Sequence, residues 1–213
     1  MTQSNNRNFF IRRFHSLIAL IPIGIFVCVH LLINASVFMG GFDGYNTFVA
    51  VMKSESLKLY ITAAEIIIIA LPLIFHAAYG LYIVYKAKNN ALQYKYYRNW
   101  AFYLQRITAI IITIFLIWHV YTLRLSGHET SEEVIYTIAG ILQNPLYMVL
   151  YIIGVVASLY HLCNGLFTFC ITWGICQGEK AQKIFSICSI LLFCAIAVVA
   201  IAILIRISMI PLA

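Results

Sequence analysis

Four histidines in this chain combine a reactive side chain with an apolar setting: His30, His76, His119 and His161. An ionisable side chain at membrane depth is costly, so by default it marks a functional site. Imidazole is the commonest protein ligand of metals and a frequent axial ligand of haem iron. Four such residues on four apolar segments therefore predict two haems, each held by two histidines.

The composition is that of an integral membrane protein. Of 213 residues, 63% are hydrophobic and 10% are charged, with a mean hydropathy of +0.92; soluble domains carry about 25% charged residues. Nearly the whole chain is used in spanning, which predicts a single integral membrane domain over residues 1–213. The formal net charge of +7 fits basic flanks of membrane helices. We expect no nucleic-acid binding, because the charges form no face that could follow a phosphate backbone.

Five apolar runs reach the ~20 residues that a membrane helix needs. They cover residues 14–39, 59–85, 100–123, 146–173 and 184–205. The first run exceeds the ~7–15 residues of a signal-peptide core, so we expect a retained helix. Pro22 and Pro72 lie inside spans, where proline is tolerated. The predicted fold is an all-α membrane protein, with five transmembrane helices in an up-down bundle enclosing two b-type haems.

The basic residues are distributed unequally between the two sides of this bundle. One side holds Arg7, Arg12, Arg13, Lys86, Lys88, Lys95, Arg98, Arg106, Lys180 and Lys183, and the other holds Lys53, Lys58, Arg124 and Arg206. The positive-inside rule then predicts a cytoplasmic N-terminus. Five acids lie on the outer side, which agrees with this orientation: Asp43, Glu55, Glu129, Glu132 and Glu133.

The histidines divide into two levels when sequence position is converted to depth at ~1.5 Å per residue. From the cytoplasmic side, His76 and His161 are roughly 15 and 18 Å deep, whereas His30 and His119 are roughly 24 and 28 Å deep. This predicts an inner pair, His76/His161, and an outer pair, His30/His119. The levels are too far apart for one metal with ligands at ~2 Å.

Glycine and cysteine residues also lie in these helices. Gly80 and Gly165, one turn beyond inner histidines, are predicted haem contacts, since glycine permits close approach. For Gly24 and Gly154, contact with a haem and ordinary helix packing are equally compatible with the sequence. The cysteines are Cys28, Cys163, Cys170, Cys176, Cys188 and Cys194. Without a CxxC pair they favour neither zinc nor iron–sulfur sites, and are predicted to be buried thiols.

The remaining candidates are polar or charged. Arg106, inside the third span, is the best candidate to bind a haem propionate. Glu65 lies three turns before His76, where it could exchange protons or bond a quinone carbonyl, or instead extend to the outer headgroups. His15 is predicted to be a polar contact at the interface, and His128 to be solvated.

The residues around the histidines carry a family resemblance that runs essentially end to end. The matching segments are Arg13-Phe14-His15-Ser16-Leu17, Ile21-Pro22-Ile23-Gly24 with His30, Leu71-Pro72-Leu73-Ile74-Phe75-His76, Tyr79-Gly80, Lys88-Asn89-Asn90, Arg98-Asn99-Trp100, Leu104-Gln105-Arg106, Trp118-His119, His161-Leu162-Cys163-Asn164-Gly165 and Thr172-Trp173-Gly174. With these segments the chain resembles the cytochrome b membrane anchors of bacterial succinate:menaquinone oxidoreductases, of the five-helix, two-haem type.

The resemblance implies partners and a direction of electron flow. A flavoprotein and an iron–sulfur subunit would bind at the cytoplasmic face of the bacterial cytoplasmic membrane. Electrons would pass from the last cluster to the inner haem b, then to the outer haem b, and finally to menaquinone near the outer face. The chain has neither a dinucleotide fingerprint nor cluster cysteines, so it is not expected to oxidise succinate alone.

Three other functions stay open at this point. The same subunit could belong to a fumarate reductase, with electrons flowing in the opposite direction. A haem-free, proton-coupled transporter could use the histidines and Glu65 as a relay, although no inverted repeat is evident. A purely structural anchor would hold no haem.

Overall fold

The computed structural model describes residues 2–52, 56–88, 91–128 and 130–212. Side chains are described in these ranges except at residues 2–7, 42, 48 and 50–52. The predictions that involve Lys53, Glu55, Asn89, Asn90 and Glu129, and the side chain of Arg7, lie outside the described residues.

Five helices in the described ranges are long and apolar enough to cross a membrane, which confirms the predicted number of spans. We number the helices in chain order, including two shorter ones: α1 (Asn8–Phe38), α2 (Phe42–Met52), α3 (Lys58–Lys86), α4 (Tyr97–Leu125), α5 (Ser131–Gln143), α6 (Pro145–Thr172) and α7 (Glu179–Ser208). The first span begins before the predicted Phe14, because the helix continues through Arg12 and Arg13.

Four of the spanning helices form a ring. Around this ring α1 packs on α3, α3 on α4, α4 on α6, and α6 on α1, while α7 packs outside against α6 and α1. On the N-terminal face of the bundle, Trp173 Nε1 donates to Ser16 Oγ at 3.1 Å. On the opposite face, Gln143 Nε2 donates to the carbonyl of Ile210 at 3.1 Å. Successive spans thus run in opposite directions, as an up-down bundle requires.

Three of the four ring helices contain a wide π-helical turn. These turns cover Ala19–Gly24, Glu65–Ala70 and Tyr121–Leu125. Pro22 lies inside the first and Pro72 follows the second. Proline lacks an N–H and crowds the preceding turn, and a wider turn relieves that conflict. Each π-helical turn lies within six residues of a histidine of the predicted site, and such turns often occur at functional sites.

The short helices α2 and α5 cover the opposite face of the bundle, and neither was predicted from the sequence. Thr130 caps α5 by accepting a hydrogen bond from the backbone N–H of Glu133 at 3.1 Å. The inward side chains Ile135 and Ala139 are fully buried against the ends of α2, α6 and α7. Together α2 and α5 give the opposite face of the bundle a packed apolar core.

Gly154 permits a close approach between α4 and α6. A Cβ at this position would lie 2.3 Å from the ring of Phe115, and Phe115 packs edge-on against Tyr151 at 5.2 Å between ring centroids. The glycine is therefore explained by helix packing, one of the two alternatives left open by the sequence.

We expect Gly154→Ala to lower the stability of the bundle by about 1–3 kcal/mol, because the added methyl group displaces a packed aromatic ring. Thermal unfolding of the purified protein in detergent measures the change. Gly140→Ala is the matched control, since its nearest neighbour, Leu212, would lie at an ordinary 3.8 Å. Equal melting of both variants and the parent protein would contradict the packing argument.

Candidate functional site

The four histidine rings meet in two pairs across the diagonals of the helix ring. His76 on α3 and His161 on α6 have ring centroids 6.2 Å apart, with planes inclined at 87°. His30 on α1 and His119 on α4 have ring centroids 5.9 Å apart, with planes inclined at 90°. The structure thus brings together the same two pairs that the depth argument grouped.

The two pairs lie at different levels of the bundle. His76 and His161 lie ten and eleven residues from the ends of their helices at the N-terminal face. His30 and His119 lie eight and six residues from the helix ends at the opposite face. We call these the inner pair and the outer pair.

The spacing within each pair fits two imidazoles that face one metal atom. Two rings bound to the same metal at ~2 Å have centroids about 6 Å apart. Among the described residues, no three His, Cys, Asp or Glu side chains converge on a possible metal position. Haem iron takes four ligands from its macrocycle, so two histidines are the number that it needs from a protein.

The inner histidines each have one ring nitrogen bonded to a backbone carbonyl of a neighbouring helix. His76 Nδ1 lies 3.3 Å from the carbonyl oxygen of His15, and His161 Nδ1 lies 3.1 Å from that of Gln105. A carbonyl can only accept, so both Nδ1 atoms carry the hydrogen. This tautomer leaves Nε2 of both rings free to bind a metal.

The outer pair has an aromatic environment. His119 Nδ1 lies 3.3 Å from the hydroxyl of Tyr151, which is 2% exposed. Phe26 stacks on His30 with ring centroids 5.5 Å apart, and Phe115 lies 5.4 Å from His119. The outer pair therefore lies directly under the apolar core of the opposite face.

His15 belongs to the inner site more closely than the sequence indicated. Its ring stacks on His76 with centroids 4.1 Å apart and planes inclined at 12°. Its Nε2 lies 3.1 Å from the carbonyl oxygen of His76. The polar contact predicted for His15 is thus a contact with a histidine of the inner pair. No spacing signal within one helix could have identified it, because its partner is 61 residues away.

The predicted glycines face neighbouring side chains. A Cβ at Gly80 would lie 3.4 Å from His15 Nε2, and one at Gly165 would lie 3.5 Å from Gln105 Nε2. A Cβ at Gly24 would lie 3.5 Å from Leu162. Gly80 and Gly165 therefore leave room for the side chains that approach the inner histidines.

Arg106 lies near the N-terminal face with an incompletely satisfied guanidinium group. Its Nη1 donates to the carbonyl of Phe102 at 2.5 Å, and the group lies over the Phe102 ring. Its Nε is buried and has no hydrogen-bond partner among the described residues. This unpartnered donor of a positively charged group is suited to an anion, and the charge of Arg12 adds to the local positive potential.

Glu65 lies at the opposite face and pairs with Arg124. Nε and Nη2 of Arg124 both donate to Oε2 of Glu65, at 3.2 and 2.6 Å. The Glu65 side chain is 33% exposed, and the pair joins α3 to α4. His128, which was expected to be solvated, is half-buried, with Nε2 3.1 Å from the carbonyl of Thr122.

Comparison with known proteins finds a family model and a relative that match this chain. The family model described as the succinate dehydrogenase/fumarate reductase transmembrane subunit matches residues 85–203. The chain is 42% identical over 196 residues to the succinate dehydrogenase cytochrome b558 subunit of Bacillus subtilis (strain 168). That alignment covers 92% of this chain and 95% of the relative. No solved structure matches the chain significantly.

The family match spans more than half of the chain and includes two of the four paired histidines, His119 and His161, while the relative aligns over nearly all of it. The resemblance found in the sequence is therefore confirmed, and the chain belongs to the succinate dehydrogenase/fumarate reductase family of cytochrome b membrane subunits.

Proposed function

We propose that this chain is a di-haem membrane anchor that carries electrons between an iron–sulfur partner subunit and menaquinone. The observation that carries the proposal is the meeting of four histidines in two pairs, with ring centroids 6.2 and 5.9 Å apart. When bound, two b-type haems supply one-electron transfer along the bundle. His76 and His161 would hold the inner haem, and His30 and His119 would hold the outer one.

The surrounding residues fit this cofactor in two respects. The carbonyls of His15 and Gln105 fix the tautomer of the inner histidines, so that Nε2 is available to iron. The unpartnered Nε of Arg106, with Arg12 nearby, offers charge-assisted hydrogen bonds to a propionate. Gly80 and Gly165, proposed from the sequence as haem contacts, lie one turn beyond His76 and His161.

The partner subunits are expected at the N-terminal face, on the cytoplasmic side of the bacterial inner membrane. Ten basic residues of the sequence belong to this side and four to the other. The positive-inside rule then favours a cytoplasmic N-terminus. The inner histidine pair is the nearer one to this face, so it would be the first to receive electrons from an iron–sulfur subunit. A flavoprotein that oxidises succinate would complete the complex.

Menaquinone is expected near the opposite face, where Glu65 and Arg124 join α3 to α4. Arg124 lies five residues beyond His119, or roughly 7.5 Å along the helix. Reduction of a quinone consumes protons, and a partly exposed carboxylate beside an arginine can accept a proton or bond the quinone oxygen. Glu65 is the residue of this chain that we assign to proton and quinone exchange.

The direction of electron flow is proposed as succinate oxidation, because the Bacillus subtilis relative is a succinate dehydrogenase subunit. The family description includes fumarate reductases as well. The rates of succinate-dependent quinone reduction and of quinol-dependent fumarate reduction, measured in membranes, distinguish the two directions. A haem-free transporter gains no support from the family match.

We expect each histidine pair to behave as a unit. His30→Ala and His119→Ala should abolish the same haem signal, and His76→Ala and His161→Ala the other, because one axial ligand does not hold the group in hydrocarbon. Each variant should halve the haem content of the purified complex, measured from reduced-minus-oxidised spectra. His128→Ala is the control and should keep both haems. A colourless parent protein, or joint loss caused by His30→Ala and His76→Ala, would refute the assignment.

We expect Glu65→Gln to reduce succinate-dependent menaquinone reduction by about tenfold or more, because an amide cannot accept a proton. Succinate oxidation by an artificial acceptor at the partner subunits should be unchanged, and both haems should be retained. Glu132→Gln removes an exposed acid from the same face and should have no effect. Wild-type menaquinone reduction by Glu65→Gln would exclude Glu65 from this role.

The orientation is tested by labelling single cysteines in intact cells with a membrane-impermeant maleimide. Ser126→Cys, at an exposed position on the opposite face, should react from outside. Lys180→Cys, exposed on the N-terminal face, should react only after permeabilisation. The parent protein is the control, because its six native cysteines give the background labelling that is subtracted. The reverse labelling pattern would invert the proposed topology.

A further inference from the structure

Both inner histidines are held by the same arrangement of two hydrogen bonds to a residue on an adjacent helix. His76 donates from Nδ1 to the carbonyl of His15 at 3.3 Å, and His15 donates from Nε2 to the carbonyl of His76 at 3.1 Å. His161 donates from Nδ1 to the carbonyl of Gln105 at 3.1 Å, and Gln105 donates from Nε2 to the carbonyl of His161 at 3.0 Å. We call each arrangement a reciprocal clamp.

A glycine makes room for each clamp. The carbonyl of a helical residue is approached past the side chain four positions later, and those positions are Gly80 and Gly165. A Cβ at either glycine would contact the donor nitrogen of the clamp residue, at 3.4 Å for His15 and 3.5 Å for Gln105. A methyl group would fit at these distances, whereas a side chain larger than that of alanine would displace the donor. The histidine, the glycine four residues later and the donor from the next helix form one unit that occurs twice.

Further contacts hold the clamp residues themselves in place. The His15 ring stacks on the His76 ring with centroids 4.1 Å apart. This stacking and the hydrogen bond from Nε2 together hold the His15 ring in its orientation. The side-chain oxygen of Gln105 accepts from Asn164 Nδ2 at 2.7 Å, and Asn164 is 6% exposed. The amide of Gln105 is thus oriented with its nitrogen towards His161. In hydrocarbon such polar groups have no water to bond instead, so these geometries are persistent.

We propose that His15 and Gln105 are positioning residues that set the ring orientation of the inner histidines and thereby the properties of the inner haem. This inference rests on the proposed two-haem function. The clamps act through His76 and His161, and neither His15 nor Gln105 is an axial ligand in the proposal. The outer pair has a different support, since His119 Nδ1 faces the side-chain hydroxyl of Tyr151. Loss of a clamp should therefore change the inner haem alone.

The test uses the complete complex in membranes, with variants that separate the hydrogen bond from the shape of the side chain. His15→Phe keeps a stacking ring but has no donor, whereas His15→Gln restores a donor. Gln105→Leu removes the second donor at similar size. Low-spin electron paramagnetic resonance spectra and redox titration of each haem are the readouts, because both respond to ligand orientation rather than to the amount of complex.

We expect His15→Phe and Gln105→Leu each to shift the inner haem's resonance and midpoint potential, with the outer haem unchanged as an internal reference. His15→Gln should return the inner signal towards that of the parent protein. The double variant should lose the inner haem and keep the outer one. Ser16→Ala is the matched control on the same helix as His15. It removes a hydroxyl that bonds the carbonyl of Arg13 and Nε1 of Trp173, and it should leave both signals unchanged.

Gly80→Val and Gly165→Val supply a second test in which both clamp side chains are retained. Each valine should displace its donor and reproduce the shift of the inner signal. The proposal is overturned if the inner signal is unchanged in His15→Phe, Gln105→Leu and both valine variants, or if His15→Gln shifts it as much as His15→Phe. A parent complex without an inner haem would instead refute the two-haem function, so the two failures are distinguishable.

Discussion

The structure depends on one constraint: a polar imidazole inside a membrane has no water to bond, so it needs a hydrogen-bond partner from the protein. Three of the four paired histidines meet it by directing Nδ1 to an oxygen atom of an adjacent helix, which is a backbone carbonyl at His76 and His161 and a tyrosine hydroxyl at His119. This tautomer leaves Nε2 of these rings available to a metal. Helix contacts, glycine positions and ring orientations follow from this arrangement, because each bond crosses from one helix to the next.

Different chemical groups support the histidines at the two levels of the bundle. At the inner level the support is polar backbone, reached past glycine residues. At the outer level it is a cluster of aromatic rings continuous with the core under α2 and α5. Two sites with the same pair of ligands thus have different surroundings, and burial and hydrogen bonding around a metal site tune its redox potential.

The spans were predictable because length and hydropathy alone define a membrane helix, and four of the five predicted starts lie within five residues of the observed ones. The histidine pairing was predictable as a grouping by depth, although its role as a haem site stays a prediction. Other features depend on contacts between distant parts of the chain. His15 with His76, Glu65 with Arg124 and Phe115 with Gly154 are such pairs, and no periodicity within one helix encodes them. The short helices α2 and α5 were missed because their runs are too brief to span a membrane.

The π-helical turn at Ala19–Gly24 separates two α-helical segments of α1 and affects the rotation of one about the helix axis relative to the other. His15 before the turn contacts the inner pair, and His30 after it belongs to the outer pair. One residue more or less in a helix rotates everything beyond it by about 100°. Deletion of a single residue in the α-helical segments between His15 and His30 would therefore point His30 towards lipid while His15 stayed in place. The π-helical turn holds one residue more than an α-helical turn, so a deletion within it can be absorbed by a return to α-helix. A length change is consequently more harmful in the α-helical parts of this segment than in the turn itself.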